Sequence, residues 1–555
     1  MGSFSKQVER AAISKADKAT RLADVDLAVR EINAAWAMCP SSINVLTVAT
    51  YGLAELGRRT EAIELLMEAL KVHKPTEAIL TLIVKIAMDL ELPDIAKKVL
   101  ELIINLNPSE PDHYIAYAQC LHRLGESDEA IGLMQATLPQ FPQSAGLWNV
   151  LGVITLQHLN NVPSARAFFN EALKYDPDHV QALANLAEVN LNKGGGLGKY
   201  EQALAADPEN PELKLGLAMA LLQQQEFERA WDLYEARFSE KRGSSKSLTY
   251  SHQFQYWHGE NLERRTLFLA AEQGLGDEVF FAIFFERVRE MVGQLVIGCD
   301  PRLKSIYERS FPGVKIVPYV DTVRLGVRTR SFPEIEPLGP GMAGLKVDKA
   351  LPIGSLPRVF WQSLDKISTF QGGYLKADPE RQQKMAEQLA RNSKLPRIGL
   401  SWRSGNLREG REHGYIGLEM AKVIAAIPGI QIVNLQYEAD DNELEILSSI
   451  AGDRFINMDK LDLKQDIEAN LAIMANLDLV IGSSTATQSL AMAQGVETWC
   501  VHRGTPWWVF GLGKDVRLPF AKNYRFLYIN YAKNYRAESE RQIVDEIEKW
   551  LSDRR

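Results

Sequence analysis

The sequence predicts an all-α repeat array followed by an α/β region made of two strand–helix series. Three observations lead there. Alanines recur at Ala28, Ala62, Ala96, Ala130 and Ala165, with gaps of 34, 34, 34 and 35 residues. The stretch LFLAAEQGLGDEVFFA, residues 267–282, reads as a buried strand, a glycine turn and the first turns of a helix. A second series opens at RIGLSW, residues 397–402, and continues through IQIVNLQ, LDLVIG and TWCVH.

The array comes first in the chain. Prolines keep the same beat as the alanines, at Pro40, Pro75, Pro108, Pro142, Pro177 and Pro208. A period near 34 is the mark of tetratricopeptide (TPR) repeats. The small residue lets two antiparallel helices approach, and the proline stops the second helix before the next repeat. LGRRTEAIELLMEAL and LGESDEAIGLMQATL are clear examples. One unit is damaged: Gly194, Gly195 and Gly196 fall where a turn and the start of a second helix belong, which predicts a shortened helix or a kink. The pair PELKLGLAMALLQQ and EFERAWDLYEARF closes the array near Phe238. Stacked helix pairs form a superhelix that binds protein partners; a spacer or dimerisation role is the plainer alternative. Tyr114, Tyr117, Asn149, His158 and Asn185 lie on predicted first helices, where they either face a partner or pack inside.

Composition narrows the function. A net charge of −8 argues against nonspecific nucleic-acid binding. Cys39, Cys120, Cys299 and Cys500 are far apart and form no CxxC, so they read as free thiols in a reducing compartment. The N-terminus lacks the apolar core of a signal peptide. Ser3-Phe4-Ser5-Lys6 supports myristoylation of Gly2 poorly. No apolar run approaches the ~18 residues needed to span a bilayer. The expectation is a cytoplasmic protein without an integral membrane segment.

Residues 239–251 are polar, carry Gly243-Ser244-Ser245, and read as a domain joint. The segment YWHGENLERRTLFLAAEQGLGD follows. It resembles the TPR-fused glycosyltransferases related to bacterial heptosyltransferases, which adopt the GT-B fold. DKALPIGSLPRVF, GGYL, RIGLSWRSGN and LDLVIGSSTATQSLAMAQGVETWCV extend the likeness over about the rest of the chain, in the expected order. The expected architecture is a TPR solenoid over 1–240 and two Rossmann-like GT-B domains over 241–376 and 377–555. In that fold the last helix, ESERQIVDEIEKWL, crosses back to the first half.

Two such domains leave a cleft at their strand ends. Sugar transfer there needs a base for the acceptor hydroxyl, groups that stabilise the departing phosphate, and in-line placement. The resemblance makes Asp277 the base, while its place at a helix start also suits a cap. Gly274 and Gly276 let the backbone turn sharply beside a ligand. Arg403, just past a strand end, and the turn Gly482-Ser483-Ser484-Thr485 are the expected phosphate holders, the latter through N–H groups at a helix start; ordinary capping is the alternative for the serines. Arg408, Arg411 and His413 follow in a glycine-flanked loop, from which one, taken as Arg411, reaches the donor. Gln436 is placed to touch the base or ribose. His502, Arg503, Trp507 and Trp508 stand at another strand exit. No metal motif is seen and no cofactor is expected, the nucleotide sugar being the substrate.

One departure bears on the donor. Relatives commonly read Asp-Thr-x-x-x-His where this chain has Ser484-Thr485-Ala486-Thr487-Gln488-Ser489. Losing a carboxylate at Ser484 disfavours ADP-heptose and suits a donor with its own carboxylate, such as a CMP-activated nonulosonic acid. The layout is similar to repeat-fused transferases that glycosylate bacterial flagellins. The resulting expectation is a metal-independent, inverting protein O-glycosyltransferase, with flagellin recruited by the repeats. Transfer to a glycan or lipopolysaccharide, and a non-catalytic adaptor, are the alternatives.

Overall fold

The computed structural model describes residues 2–20, 24–40, 42–72, 76–90, 92–159, 161–190, 196–242, 248–324, 327–335, 345–367, 373–390, 395–404, 415–458, 461–502, 506–529 and 536–554. The chain divides into two compact units. One comprises Met1–Leu217, Ala236–Thr249 and Thr322–Thr329; the other comprises Ala218–Glu235, Tyr250–Asp321 and Arg330–Arg555.

The first unit is a run of paired helices. Second helices of successive pairs span Val25–Met38, Arg59–Val72, Pro93–Leu106, Ser127–Thr137 and Val162–Tyr175. Each recurring alanine is the fourth residue of its helix, and all five are fully buried. A larger side chain there would push the partner helix outward, which is why the small residue keeps the beat. Pro40, Pro108, Pro142, Pro177 and Pro208 all fall shortly past a second helix; Pro75 lies outside the described residues. Starts are capped locally: the Asp24, Ser42 and Asn161 side chains accept from Leu27, Val45 and Ser164 N–H. The damaged unit keeps two helices, Val180–Asn190 and a short Leu197–Ala206. Gly194 and Gly195 lie outside the described residues.

Polar side chains of the first helices are spent within the array. Asn185 Nδ2 donates to Asn149 Oδ1 at 2.9 Å. The Tyr117 hydroxyl donates to Glu101 at 2.9 Å and that of Tyr114 to the Pro108 carbonyl at 3.1 Å. His158 Nε2 lies 3.0 Å from Asp128 Oδ1.

The second unit holds two largely parallel sheets. Strands β1 (Leu262–Ala270), β2 (Val292–Cys299), β3 (Lys315–Pro318) and β4 (Lys349–Pro352) form a parallel sheet in the order β3-β2-β1-β4. Phe268, Val296, Val317 and Ala350 pack into its core. Strands β5 (Arg397–Ser401), β6 (Gln431–Asn434), β7 (Phe455–Ile456), β8 (Leu479–Gly482), β9 (Thr498–His502), β10 (Asp515–Leu518) and β11 (Ala521–Tyr528) form the other, ordered β7-β6-β5-β8-β9-β11-β10. Only the β10–β11 pair is antiparallel. Ile398, Leu400, Ile432, Leu479 and Ile481 are fully buried, as strands covered on both faces require.

The structure differs from the sequence expectation, or adds to it, at several points among the described residues. The helix expected to follow the glycine turn is broken into Leu275–Phe281, a 3₁₀ turn Ala282–Phe284 and Phe285–Arg289. The β10–β11 hairpin was not expected; Arg517 pairs with Glu497, and Arg525 with Asp515 and Glu546, so charge hides the strand alternation. The final helix, Arg536–Ser552, does not bury its apolar face on the first series. Its Ile543 and Ile547 lie in one core with Leu400, Trp499 and Leu527 of the second sheet. The helix Phe227–Tyr234, which closes the repeats, is grouped with the second unit. Aromatic burial is the reason. Trp231 donates its indole N–H to the Trp361 carbonyl at 2.7 Å, and its ring meets Trp507 edge-on at 5.7 Å. Phe227 meets Phe510 at 5.1 Å.

Candidate functional site

Strand order locates the crevices. In the first sheet the chain runs from β1 outward through β2 to β3, then returns to place β4 on the other side of β1. In the second it runs from β5 through β6 to β7, then returns to place β8 beside β5. Ligands of such sheets bind outside the carboxyl ends of the strands where the order reverses. β1 ends in the turn carrying Gly274 and Asp277. β5 ends at Arg403, and β8 ends at Ser483, Ser484 and Thr485.

The two ends meet. The helix after β1, α1 (Leu275–Phe281), packs on the helix after β8, α3 (Ala486–Gln494). A Cβ on Gly276 would lie 3.1 Å from Ala486 Cα and 3.3 Å from its N, so the two helix starts are in close contact and a side chain at 276 would make the neighbour shift by a few tenths of an ångström. Further bonds tie the halves together: Leu375 N–H to the Ala493 carbonyl at 2.8 Å, Arg302 Nη1 to the Lys464 carbonyl at 3.0 Å, and Arg309 Nη2 to Glu468 at 2.6 Å.

The first turn differs in detail from its sequence reading. Its left-handed residue is Gln273, at φ 57°, and not either glycine. Gly274 is the N-cap of α1 in an extended conformation. Asp277 is the third residue of the helix, not its cap, and is exposed. The next residue, Glu278, is fully buried, and both its carboxylate oxygens accept the Asp300 N–H, at 3.0 and 3.2 Å. Burial pushes the Glu278 carboxyl up to about 8, only partly offset by that N–H. Asp300 behaves oppositely. Burial alone would raise it, but Arg302 and the Tyr319 hydroxyl hold it below the usual carboxylate range. Hydroxyls of Tyr307 and Tyr374 donate to the Glu278 and Val279 carbonyls, fixing α1 from below.

The second turn is bound up internally. Arg403 grips Glu443 with Nε at 2.8 Å and Nη2 at 2.6 Å, and Nη2 also donates to the Glu438 carbonyl. Glu443 accepts as well from the Trp402 indole at 2.9 Å, and closes a capping box with Asp440 at the start of α2 (Asp441–Ala451). This pairing raises the Arg403 pKa further. Gln436 is buried; its carbonyl accepts the Trp402 and Arg403 N–H groups, each at 2.9 Å, and its amide donates to the Tyr437 carbonyl. These bonds shape the end of the strand. Ser483 is likewise buried, accepting Ile416 N–H at 2.9 Å and donating to the Trp402 carbonyl at 3.3 Å. The Ser484 hydroxyl meets the buried Cys500 thiol, which burial pushes up to about 12. Thr485 is the N-cap of α3, its hydroxyl donating to Gln488 at 2.8 Å. Gly482 has no room for a Cβ, which would fall 2.4 Å from the Ser401 carbonyl oxygen.

Arg408, Arg411, His413 and Arg503 lie outside the described residues. Trp507 packs among Trp231, Tyr234 and Phe280. Trp508 packs on Tyr524 and Phe526. Glu278, Asp300 and Glu443 were missed from sequence. Only Glu443 carried a signal there, the Asp-x-x-Glu spacing of a capping box before an apolar run.

Family models described as tetratricopeptide repeat match residues 81–145 and 197–243. The chain is 28% identical over 513 residues to protein FlbA of Caulobacter vibrioides, covering 89% of this chain and 81% of that protein. Among solved structures it is similar to a TPR protein of Thermus thermophilus, at 22% identity over 32% of this chain and 97% of that one, with a TM-score of 0.26. Yeast Tom70 is similar at 22% identity over 42% of this chain and 50% of that one, with a TM-score of 0.33. Among the described residues no helix is long and apolar enough to cross a membrane. The chain carries an N-terminal helical TPR region followed by an α/β region.

Proposed function

We propose that the α/β region is a metal-independent glycosyltransferase of the GT-B type and that the repeats recruit its protein acceptor. The observation that carries this reading is the abutment of two strand-end turns, Gly276 against Ala486, at the points where each sheet reverses its strand order. One turn presents an exposed carboxylate, Asp277. The other opens a nine-residue helix whose first N–H groups suit an anion. The acceptor hydroxyl oxygen attacks the anomeric carbon of the donor, the bond from that carbon to the phosphate oxygen breaks, and Asp277 takes the hydroxyl proton. The leaving phosphate is held by N–H groups at the start of α3. Arg403, tied to Glu443 through Nε and Nη2, stands at the same strand end.

The donor favoured by Ser484 is a CMP-activated nonulosonic acid, and the acceptor a serine or threonine of a protein, flagellin being the specific candidate. Likeness to protein FlbA across 89% of the chain fits an architecture in which repeats and α/β region occur together. A second reading, a non-catalytic adaptor, is favoured by the inward use of Arg403, Gln436 and Ser483.

The test is incubation of the purified chain with a CMP-nonulosonic acid and unmodified flagellin, read by intact mass. The expected result is a sugar-sized increase with the wild type and none with Asp277→Asn. An increase that survives Asp277→Asn removes the base assignment. No increase on flagellin, with sugar transferred to lipopolysaccharide in a parallel incubation that supplies it, favours a glycan acceptor. No product of either kind favours the adaptor.

A further inference from the structure

The turn that carries Asp277 begins with a residue in an unusual conformation. Gln273 sits at φ 57°, the left-handed region that side chains other than glycine rarely adopt. Such a residue persists only where its surroundings hold it. Its side-chain amide reaches back to the chain's last repeat helix and donates to the Tyr234 hydroxyl at 2.7 Å. Tyr234 is itself buried. Its ring lies 5.8 Å from Trp231 and 6.5 Å from Trp507, and Trp507 in turn meets Phe280 of α1 at 5.9 Å. Residues 197–243 match a tetratricopeptide-repeat model, yet Ala218–Glu235 belongs to the α/β unit. A helix with repeat sequence therefore supplies a buried hydroxyl to the base of the candidate turn.

We propose that Tyr234 is a positioning residue for the candidate site: its hydroxyl holds Gln273 left-handed and so fixes the turn that presents Asp277. The positioning of the turn stands on the geometry alone. Its bearing on chemistry rests on the transferase reading given above.

The experiment uses the full chain in three forms: Tyr234→Phe, Gln273→Gly and the double variant. Phenylalanine keeps the ring packing and removes only the hydroxyl. Glycine adopts a positive φ without help. Hydrogen exchange is followed at the amides of 274–278, with strand β6 as an internal reference for global stability. Tyr234→Phe is expected to speed exchange in the turn by about 2- to 10-fold, the factor that one net hydrogen bond supplies. The double variant is expected to return toward the wild-type rate, since glycine no longer needs the hydroxyl. A merely structural tyrosine would not be rescued at residue 273. Unchanged exchange in Tyr234→Phe overturns the proposal, as does faster exchange that Gln273→Gly fails to rescue. A second arm measures CMP, UDP, ADP and GDP affinity of the same proteins. Weaker binding in Tyr234→Phe, restored in the double variant, links the positioning to the site. If no nucleotide binds even the wild type, the transferase reading fails, and the exchange result still decides the role of Tyr234.

Discussion

The two turns that meet at Gly276 and Ala486 sit at equivalent points of two parallel sheets, yet they use their side chains in opposite ways. The turn after β1 faces outward: Asp277 is exposed, and the groups that hold it, Glu278, Tyr307 and Tyr374, lie beneath it. The turns after β5 and β8 face inward: Arg403, Gln436 and Ser483 are spent on Glu443 and on backbone groups of the strand ends. What this teaches is that a polar residue at a strand end is not by itself a ligand contact. Buried polar groups must find partners, and the nearest unsatisfied groups at a strand end are those of the protein's own backbone. On this account the second half offers a ligand backbone N–H groups, while the first half offers an exposed carboxylate.

The comparison breaks most visibly at Glu443. Its carboxylate serves the Trp402 indole, the Arg403 guanidinium and the Asp440 N–H at once. Glu443→Ala should cost about 4 kcal/mol, the scale of a part-buried ion pair losing one partner, seen as faster hydrogen exchange in β5 and α2. Fast exchange confined to α2 would mean that the capping box alone matters.

The buried acid of the first half makes the next largest effect, and it depends on pH. Glu278 is raised to about 8 from an ordinary value of 4.5. Between those limits the folded chain keeps a proton that the unfolded chain releases, so stability falls as pH rises through the window and levels off above it. Glu278→Gln keeps an acceptor for the Asp300 N–H and has no proton to lose. The variant should gain on the wild type by on the order of 1 kcal/mol per pH unit between pH 5 and pH 8, read from melting temperatures. Parallel pH curves for the two proteins would contradict the buried-acid description.

These two residues also mark what could be read from the sequence. The repeats were legible because burial of Ala28, Ala62, Ala96, Ala130 and Ala165 is imposed by a local, periodic contact. The strands β1, β2, β5, β6, β8 and β9 were legible because burial on both faces leaves continuous apolar runs. Asp277 and Gly276 stood out because a glycine-rich turn after such a run is rare. What could not be read depends on partners distant in the chain. Nothing near Glu278 in sequence announces Asp300, 22 positions on. Nothing near Arg403 announces that Glu443 will neutralise it. The β10–β11 hairpin was hidden by charged residues: Arg525 pairs across it with Asp515, and Arg517 and Arg525 reach out of it to Glu497 and Glu546. The final helix packs on the second sheet because Ile543 and Ile547 find a core with Trp499 and Leu527 there, and its sequence carries no sign of which sheet that is.

Two smaller effects sharpen the comparison at the seam itself. Gly276→Ala places a methyl group 3.1 Å from Ala486 Cα and should cost about 2 kcal/mol by overpacking. The loss should appear as faster exchange in both α1 and α3. An effect on α1 alone would show that the two turns are not mutually supported. Gln273→Gly by itself should shift stability by no more than roughly 0.5 kcal/mol, the relief of an unfavourable φ offsetting the lost bond to Tyr234 and the added freedom of the unfolded chain. A destabilisation larger than that would assign the Gln273 side chain more than its bond to Tyr234.

The central claim is that the meeting of these turns forms a nucleotide-sugar site, and isothermal calorimetry with CMP, UDP, ADP and GDP tests it most directly. The account predicts that CMP binds, that the affinity drops in Gly276→Ala, where the tight contact at Ala486 must shift, and that Asp277→Asn binds CMP as the wild type does, since the proposed base acts on the acceptor hydroxyl. Binding of ADP in place of CMP would contradict the inference drawn from Ser484. Absence of binding to all four nucleotides would contradict the transferase reading itself.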